Sequence, residues 1–120
     1  MATRESRLRI SALEGGVRRV EFVDRNILEE ASIQQIGDEI TSLIDSAPSP
    51  KLLISFANVD HLSSAALGTL ITVHNKVKQA RGQLRLSNID PQILEVFMIT
   101  KLHKLFEIHE TEQDALASFA

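Results

Sequence analysis

A chain of 120 residues is long enough for one compact domain and too short for two ordinary ones. Its lack of cysteine excludes disulfides and thiolate metal sites and fits a reducing compartment, so the expected location is the cytoplasm. A net charge of −3 with mixed signs, no Trp or Tyr and only five Phe argue against direct nucleic-acid binding, which calls for a basic face or stacking aromatics.

Met1–Glu5 leads into charged residues with no apolar stretch behind it, so no signal peptide is expected. No apolar run approaches the roughly 20 residues needed to cross a bilayer, and a soluble protein without a membrane partner is expected. Residues 1–7 read as a flexible lead-in and residues 8–119 as a single domain. Leu8 and Ile10 alternate with Arg7, Arg9 and Ser11, then Glu14-Gly15-Gly16 signals a turn. Val20 and Phe22 alternate against charge within Val17–Val23, which predicts an antiparallel hairpin.

Ile33, Ile36, Ile40, Leu43 and Ile44 recur at spacings of three and four, a helix with one buried stripe. Pro48 and Pro50 end it. Leu52–Phe56 is a short, nearly continuous apolar run of the kind that suits a central strand covered on both faces. A second helix is predicted from about Ser64 to Gln79, with Leu67, Leu70, Ile71, His74 and Val77 on one face and Arg81-Gly82 as its stop. Leu84 and Leu86 mark a strand. Asp90-Pro91 opens a third helix, with Asp90 as cap and Ile93, Leu94 and Phe97 on its apolar face. Leu105–Ile108 reads as a last strand, and Thr111 as the cap of a final helix through Glu112, Asp114, Ala115, Leu116 and Phe119. Strands alternating with helices after the first hairpin imply an α/β fold: a mixed, mostly parallel sheet of about five strands with about four helices.

The chemistry-bearing residues concentrate at Asp60-His61-Leu62-Ser63-Ser64-Ala65-Ala66-Leu67-Gly68, where a strand hands over to the second helix. Adjacent hydroxyls at a helix start can cap it, and the free N–H groups and partial positive charge there would also tolerate a phosphate. Ser63-Ser64 lacks the GxSxG elbow of a nucleophilic serine, and His61 is too close in sequence to read as its base. No glycine-rich phosphate loop is present, and Glu29-Glu30 sits where acidic residues favour a helix dipole. His61, His74, His103 and His109 form neither an HxxxH nor an HExxH pair and are expected at helix ends and surfaces. These patterns point to no enzyme, no metal and no cofactor.

Leu52 through Leu70, with Gly82-Gln83-Leu84-Arg85-Leu86, Ile99-Thr100-Lys101-Leu102, Leu105-Phe106-Glu107-Ile108 and Glu112-Gln113-Asp114-Ala115-Leu116, resembles the signature of STAS domains of the stand-alone bacterial anti-sigma factor antagonist type. The resemblance covers most of residues 8–119. It implies a non-catalytic partner-switching protein whose partners are an anti-sigma factor that is also a serine kinase and a cognate phosphatase. The family pattern reads Asp-Ser-Ser-Gly-Leu-Gly at the helix start, and Leu67-Gly68 sets the register. Ser64 then falls on the phosphorylated serine, Ala65 on the following serine and Ala66 on the glycine.

Ser63 stands where the family has aspartate, which removes an acidic neighbour and makes Ser63 a competing acceptor. The resemblance implies a docking surface around Asp60, His61, Ser63, Ser64 and Thr69, extended by Asp24–Glu29. The alternatives are an unphosphorylated scaffold or sensory STAS module in a signalling complex and, ranked below it, a small-ligand or nucleotide binder. Neither the partner's identity nor the oligomeric state is written in the sequence.

Overall fold

The computed structural model describes residues 7–119; the expectation for the N-terminal lead-in falls on residues 1–7, of which 1–6 lie outside the described residues. The described residues form a five-stranded sheet, a two-stranded sheet and four α-helices. In chain order these are β1 (Leu8–Ala12), β2 (Val17–Phe22), β3 (Asn26–Ile27), α1 (Glu30–Asp45), β4 (Lys51–Ser55), β5 (His61–Leu62), α2 (Ser64–Gln79), β6 (Gln83–Ser87), α3 (Pro91–Ile99), β7 (Glu107–His109) and α4 (Glu112–Ala117). The main sheet runs β1-β2-β4-β6-β7. β1 is antiparallel to β2, and every other pair is parallel. This is the predicted α/β architecture.

The predicted hairpin forms through a 3-10 turn at Glu14–Gly16, where Gly15 and Gly16 both take positive φ, which glycine adopts without strain. β4 lies at the centre, buried on both faces as its continuous apolar run predicts. Leu52 and Ile54 join the main core, and Leu53 belongs to a second, smaller one. Ile33, Ile36, Ile40 and Ile44 of α1 and Leu67, Leu70, Val73 and Val77 of α2 fill the main core from one face of the sheet. Ile93 and Phe97 of α3 join them. Phe97 is fully buried, stacked on Phe106 at 5.9 Å and edge-on to Phe56 at 6.5 Å. α4 covers the opposite face, with Ala115 against Val17 and Leu53.

Several details differ from the sequence expectation. α2 buries Val73, whereas Ile71 is only partly buried and His74 is half-buried, its ring edge-on to Phe106 at 5.5 Å. The last strand is Glu107–His109 rather than Leu105–Ile108: the amides of Leu105 and Phe106 donate to the Leu102 carbonyl in a 3-10 turn that swings Phe106 into the core. α4 ends at Ala117, short of Phe119. His109 sits in the edge strand, hydrogen-bonded to Glu107 rather than at a helix end.

At the end of α2 the left-handed residue is Arg81, not Gly82. The Gly82 amide donates to Val77 and the Arg81 amide to Lys78, a Schellman closure. Gly82 is required for a different reason: a Cβ there would collide with the Pro50 carbonyl oxygen, to which the Gln83 amide is bonded. The predicted caps are present, with Asp90 accepting from the Gln92 amide at 2.9 Å and Thr111 from the Asp114 amide at 3.1 Å.

The second face carries charge. Arg19 of β2 bonds Glu112 of α4, which raises the guanidinium's pKa against the opposing effect of burial. Partial burial pushes Glu107 up, but the hydrogen bond from His109, the charge of Arg85 and the Ser118 hydroxyl outweigh it and hold the carboxyl below its usual range. A depressed carboxylate stabilises the fold fully above its unfolded value of 4.5 and loses that contribution as pH falls below it. Glu107→Gln is therefore expected to lower stability at pH 7 and to flatten the acid-side loss below 4.5, as urea midpoints against pH will read. In the main core, Phe97→Ala is expected to cost about 3–5 kcal/mol of unfolding free energy, measured the same way.

Candidate functional site

The site grows from the ends of two chain segments that leave the main sheet side by side. After β2 the chain runs through Asp24 and Arg25 into β3, and after β4 it turns at Phe56–Val59 and runs into β5. β3 and β5 pair in parallel, Asn26 with His61 and Ile27 with Leu62. Three further backbone bonds extend this zipper: Asp60 N–H to Arg25 O at 2.7 Å, His61 N–H to the same oxygen at 3.3 Å, and Ser63 N–H to Ile27 O at 3.1 Å. Asn58 reinforces it by donating its amide to the Val23 carbonyl at 3.3 Å. The Asp24–Glu29 stretch and the Asp60–Ser64 stretch, 35 residues apart at Arg25–Asp60, thus form one continuous rim.

Side chains follow the same seam. Asp60 accepts from Arg25 at 2.9 Å on a largely exposed surface. His61 is exposed, with Nδ1–H donating to Asn26 Oδ1 at 2.7 Å, so the ring is held against β3. Ser63 is the N-cap of α2. Its φ of −79° and ψ of 165° are extended, its Oγ accepts from the Ala66 amide at 3.2 Å and its carbonyl accepts from Leu67. Ser64 is the first helical residue and is exposed. The capping bond therefore engages the Ser63 hydroxyl and leaves that of Ser64 outside it.

The first turn of α2 has two characters. Ser64, Ala65 and Gly68 are exposed, and a Cβ added at Gly68 would meet nothing within 4 Å, so the outward side is bare backbone and small side chains. Ala66 is 4% exposed and, with Phe22 and Ile27, lines a residual gap of about 10 Å³. Thr69 is half-buried on the α1 side of the helix, where its Cγ2 would lie 3.1 Å from a Cβ on Gly37. The structure thus brings Asp60, His61, Ser63 and Ser64 together and turns Thr69 into the α1–α2 contact.

Sequence reasoning missed a cleft of about 160 Å³ beside this rim, between Asp60–Leu62, Leu67 and the α3 residues Ile93 and Val96. Its only sequence signal is the apolar character of α3 on the side away from the core, where Val96 and Ile99 stay exposed. No acidic residue stands in the first turn of α2, so its partial positive charge is unanswered by its own side chains. Among the described residues, no group of three or more His, Asp or Glu could hold a metal ion, and no helix is long and apolar enough to cross a membrane.

Known proteins share this fold. BtrV of Bordetella bronchiseptica, named as a candidate anti-sigma factor antagonist, is 24% identical over 95 residues, which is 79% of this chain and 81% of that one. A solved anti-sigma-factor antagonist (STAS) domain protein from Planctomyces limnophilus matches with a TM-score of 0.83 at 23% identity, over 98% of this chain and all of its own. The Bacillus cell fate determinant SpoIIAA, solved in its phosphorylated form, matches with a TM-score of 0.68 at 17% identity, over 92% of this chain and 96% of its own. At these identities the two solved structures establish a common fold. The STAS domain family model matches residues 17–115, and the chain belongs to that family.

Proposed function

We propose that this chain is an anti-sigma factor antagonist-like regulator that docks a protein partner at the α2 N-terminus and changes partners when Ser64 is phosphorylated. The observation that carries this reading is the division of labour between the two serines: Ser63 caps the helix through its hydroxyl, while Ser64 is exposed beside it. The names of the relatives point the same way, one a candidate anti-sigma factor antagonist and one a determinant known in a phosphorylated form.

The docking surface in this reading is the rim of Asp60, His61, Ser63 and Ser64, joined through the β3–β5 pair to Asp24–Glu29 and backed by Thr69. Partners would be an anti-sigma factor with serine kinase activity and a phosphatase that reverses the mark. Bare backbone at Ser64, Ala65 and Gly68 lets a partner surface approach closely, so the contact is sensitive to added bulk and charge. A phosphate there adds about −1.5 to −2 charges. The helix dipole favours that charge, so modification leaves α2 folded and acts on the partner contact instead. The protein itself performs no chemistry in this scheme. The second reading, an unphosphorylated scaffold, draws on Ser63 in the place of the family's aspartate, since the kinase then meets no acidic neighbour.

Incubation with a cognate serine kinase, followed by phosphate mapping by mass spectrometry, is expected to label Ser64. The label should vanish in Ser64→Ala and persist in Ser63→Ala; absence of label at both serines would overturn the phosphorylation switch. Ser63→Ala should instead lower unfolding stability by about 1 kcal/mol through loss of the cap, read from urea denaturation. Ser64→Asp is expected to weaken partner affinity about tenfold or more by calorimetry while leaving the fold intact, and an unchanged affinity would count against the switch.

A further inference from the structure

The two faces of the main sheet are covered very unequally. On one, α1, α2 and α3 bury the large core; on the other, among the described residues, lies the six-residue α4. A helix this short is not stable alone, so its order comes from what it touches. Within α4 the fully buried residue is Ala115, seated on Val17 and Leu53 with Leu13, Leu116 and Phe119 partly buried around it. That is a small apolar anchor.

Most of the remaining grip comes from two arginines. The register aligns Arg19 of β2, Leu53 of β4 and Arg85 of β6 in one row across the sheet, all on the α4 side. Arg19 holds the start of the helix, Nη1 donating to Glu112 Oε1 at 2.8 Å. Arg85 holds the far end. Its Nε donates to Ser118 Oγ at 2.9 Å, and its guanidinium lies 5.0 Å from the centre of the Phe119 ring. Glu107 pairs with Arg85 from within the sheet. The cap is internal to the segment, because Thr111 Oγ1 accepts from the Asp114 amide and leaves with the helix. β7 ends at His109, so the exposed Glu110 is the hinge.

We propose that residues 111–119 form a strap that opens from the sheet as one unit while the rest of the domain stays folded, with the Arg19 and Arg85 contacts setting how often it opens. Clamps at both ends oppose fraying from either one, and the single anchor between them is too small to tie the strap to global unfolding. Opening bares Leu53 and Val17 between two guanidinium groups. The complement of that surface is an acidic amphipathic helix, which is what α4 is.

Native-state hydrogen exchange on the full chain, followed by NMR, tests this. The amides of Ala115, Ser118 and Phe119 are expected to exchange at one common opening rate, at least about tenfold faster than those of Ile54 in β4 and Val73 in α2. Glu112→Gln should speed all three strap amides together by about two- to fivefold, the scale of a part-exposed ion pair, and leave Ile54 and Val73 unchanged. Acceleration confined to Ala115 would mean simple fraying and overturn the unit. Strap amides as slow as Ile54, or equal acceleration of Ile54 and Val73, would tie α4 to global unfolding and overturn the strap.

Discussion

The geometry of the candidate site depends on a few backbone hydrogen bonds between segments far apart in sequence. The amides of Asp60, His61 and Ser63 reach the carbonyls of Arg25 and Ile27, and with the β3–β5 pair they fix where the chain enters α2. Without that zipper the turn after β4 would be an ordinary exposed loop, and the direction of α2's first turn would be free to vary. With it, the strand exits of β2 and β4 become one surface. This is the expected location in an open parallel sheet, where neighbouring strands deliver their loops to the same edge.

That edge is firm because the sheet behind it is firm. β4 is buried on both faces, and Phe56 continues past its end as a fully buried residue whose amide bonds the Ser87 carbonyl of β6. Phe22 at the end of β2 packs on Phe56 at 5.2 Å, and Phe56 in turn meets Phe97 of α3. Three elements that border the site therefore share one aromatic cluster. Among the described residues, the opposite face has no comparable packing and relies on Arg19, Arg85 and a short helix, so rigidity is concentrated on the side that carries α2 and α3.

Much of this was legible in the sequence. The three-and-four spacing of Ile33, Ile36, Ile40 and Ile44, the continuous run at Leu52–Phe56 and the caps at Asp90 and Thr111 each encode a local structure that the tertiary fold does not override. The missed features are those without a local signature. A two-residue strand such as Asn26–Ile27 is too short to show a period, and its pairing is decided by distant residues. Leu105-Phe106 reads as strand because both are apolar, yet the turn closed on Leu102 separates them, one exposed and one buried. Either Ser63 or Ser64 can cap on residue chemistry alone. The choice falls to Ser63 because its amide is tied to Ile27, which places its side chain over the free N–H of Ala66.

The two departures from the STAS pattern can be weighed on the same contacts. A serine in the aspartate's place still accepts the Ala66 amide, so the helix start is satisfied without a carboxylate. An alanine in the glycine's place is buried in the main core and favours the helix over glycine by about 1 kcal/mol. Neither change disturbs the fold of the site; the serine in the aspartate's place alters its charge. With no acidic residue in the first turn of α2 and Asp60 engaged by Arg25, a phosphate on Ser64 would be the first unpaired negative charge at that helix end. The change in field is the phosphate's own, but here it would fall on a helix end with no carboxylate in its first turn, so a phosphate would reverse the local sign from positive to negative.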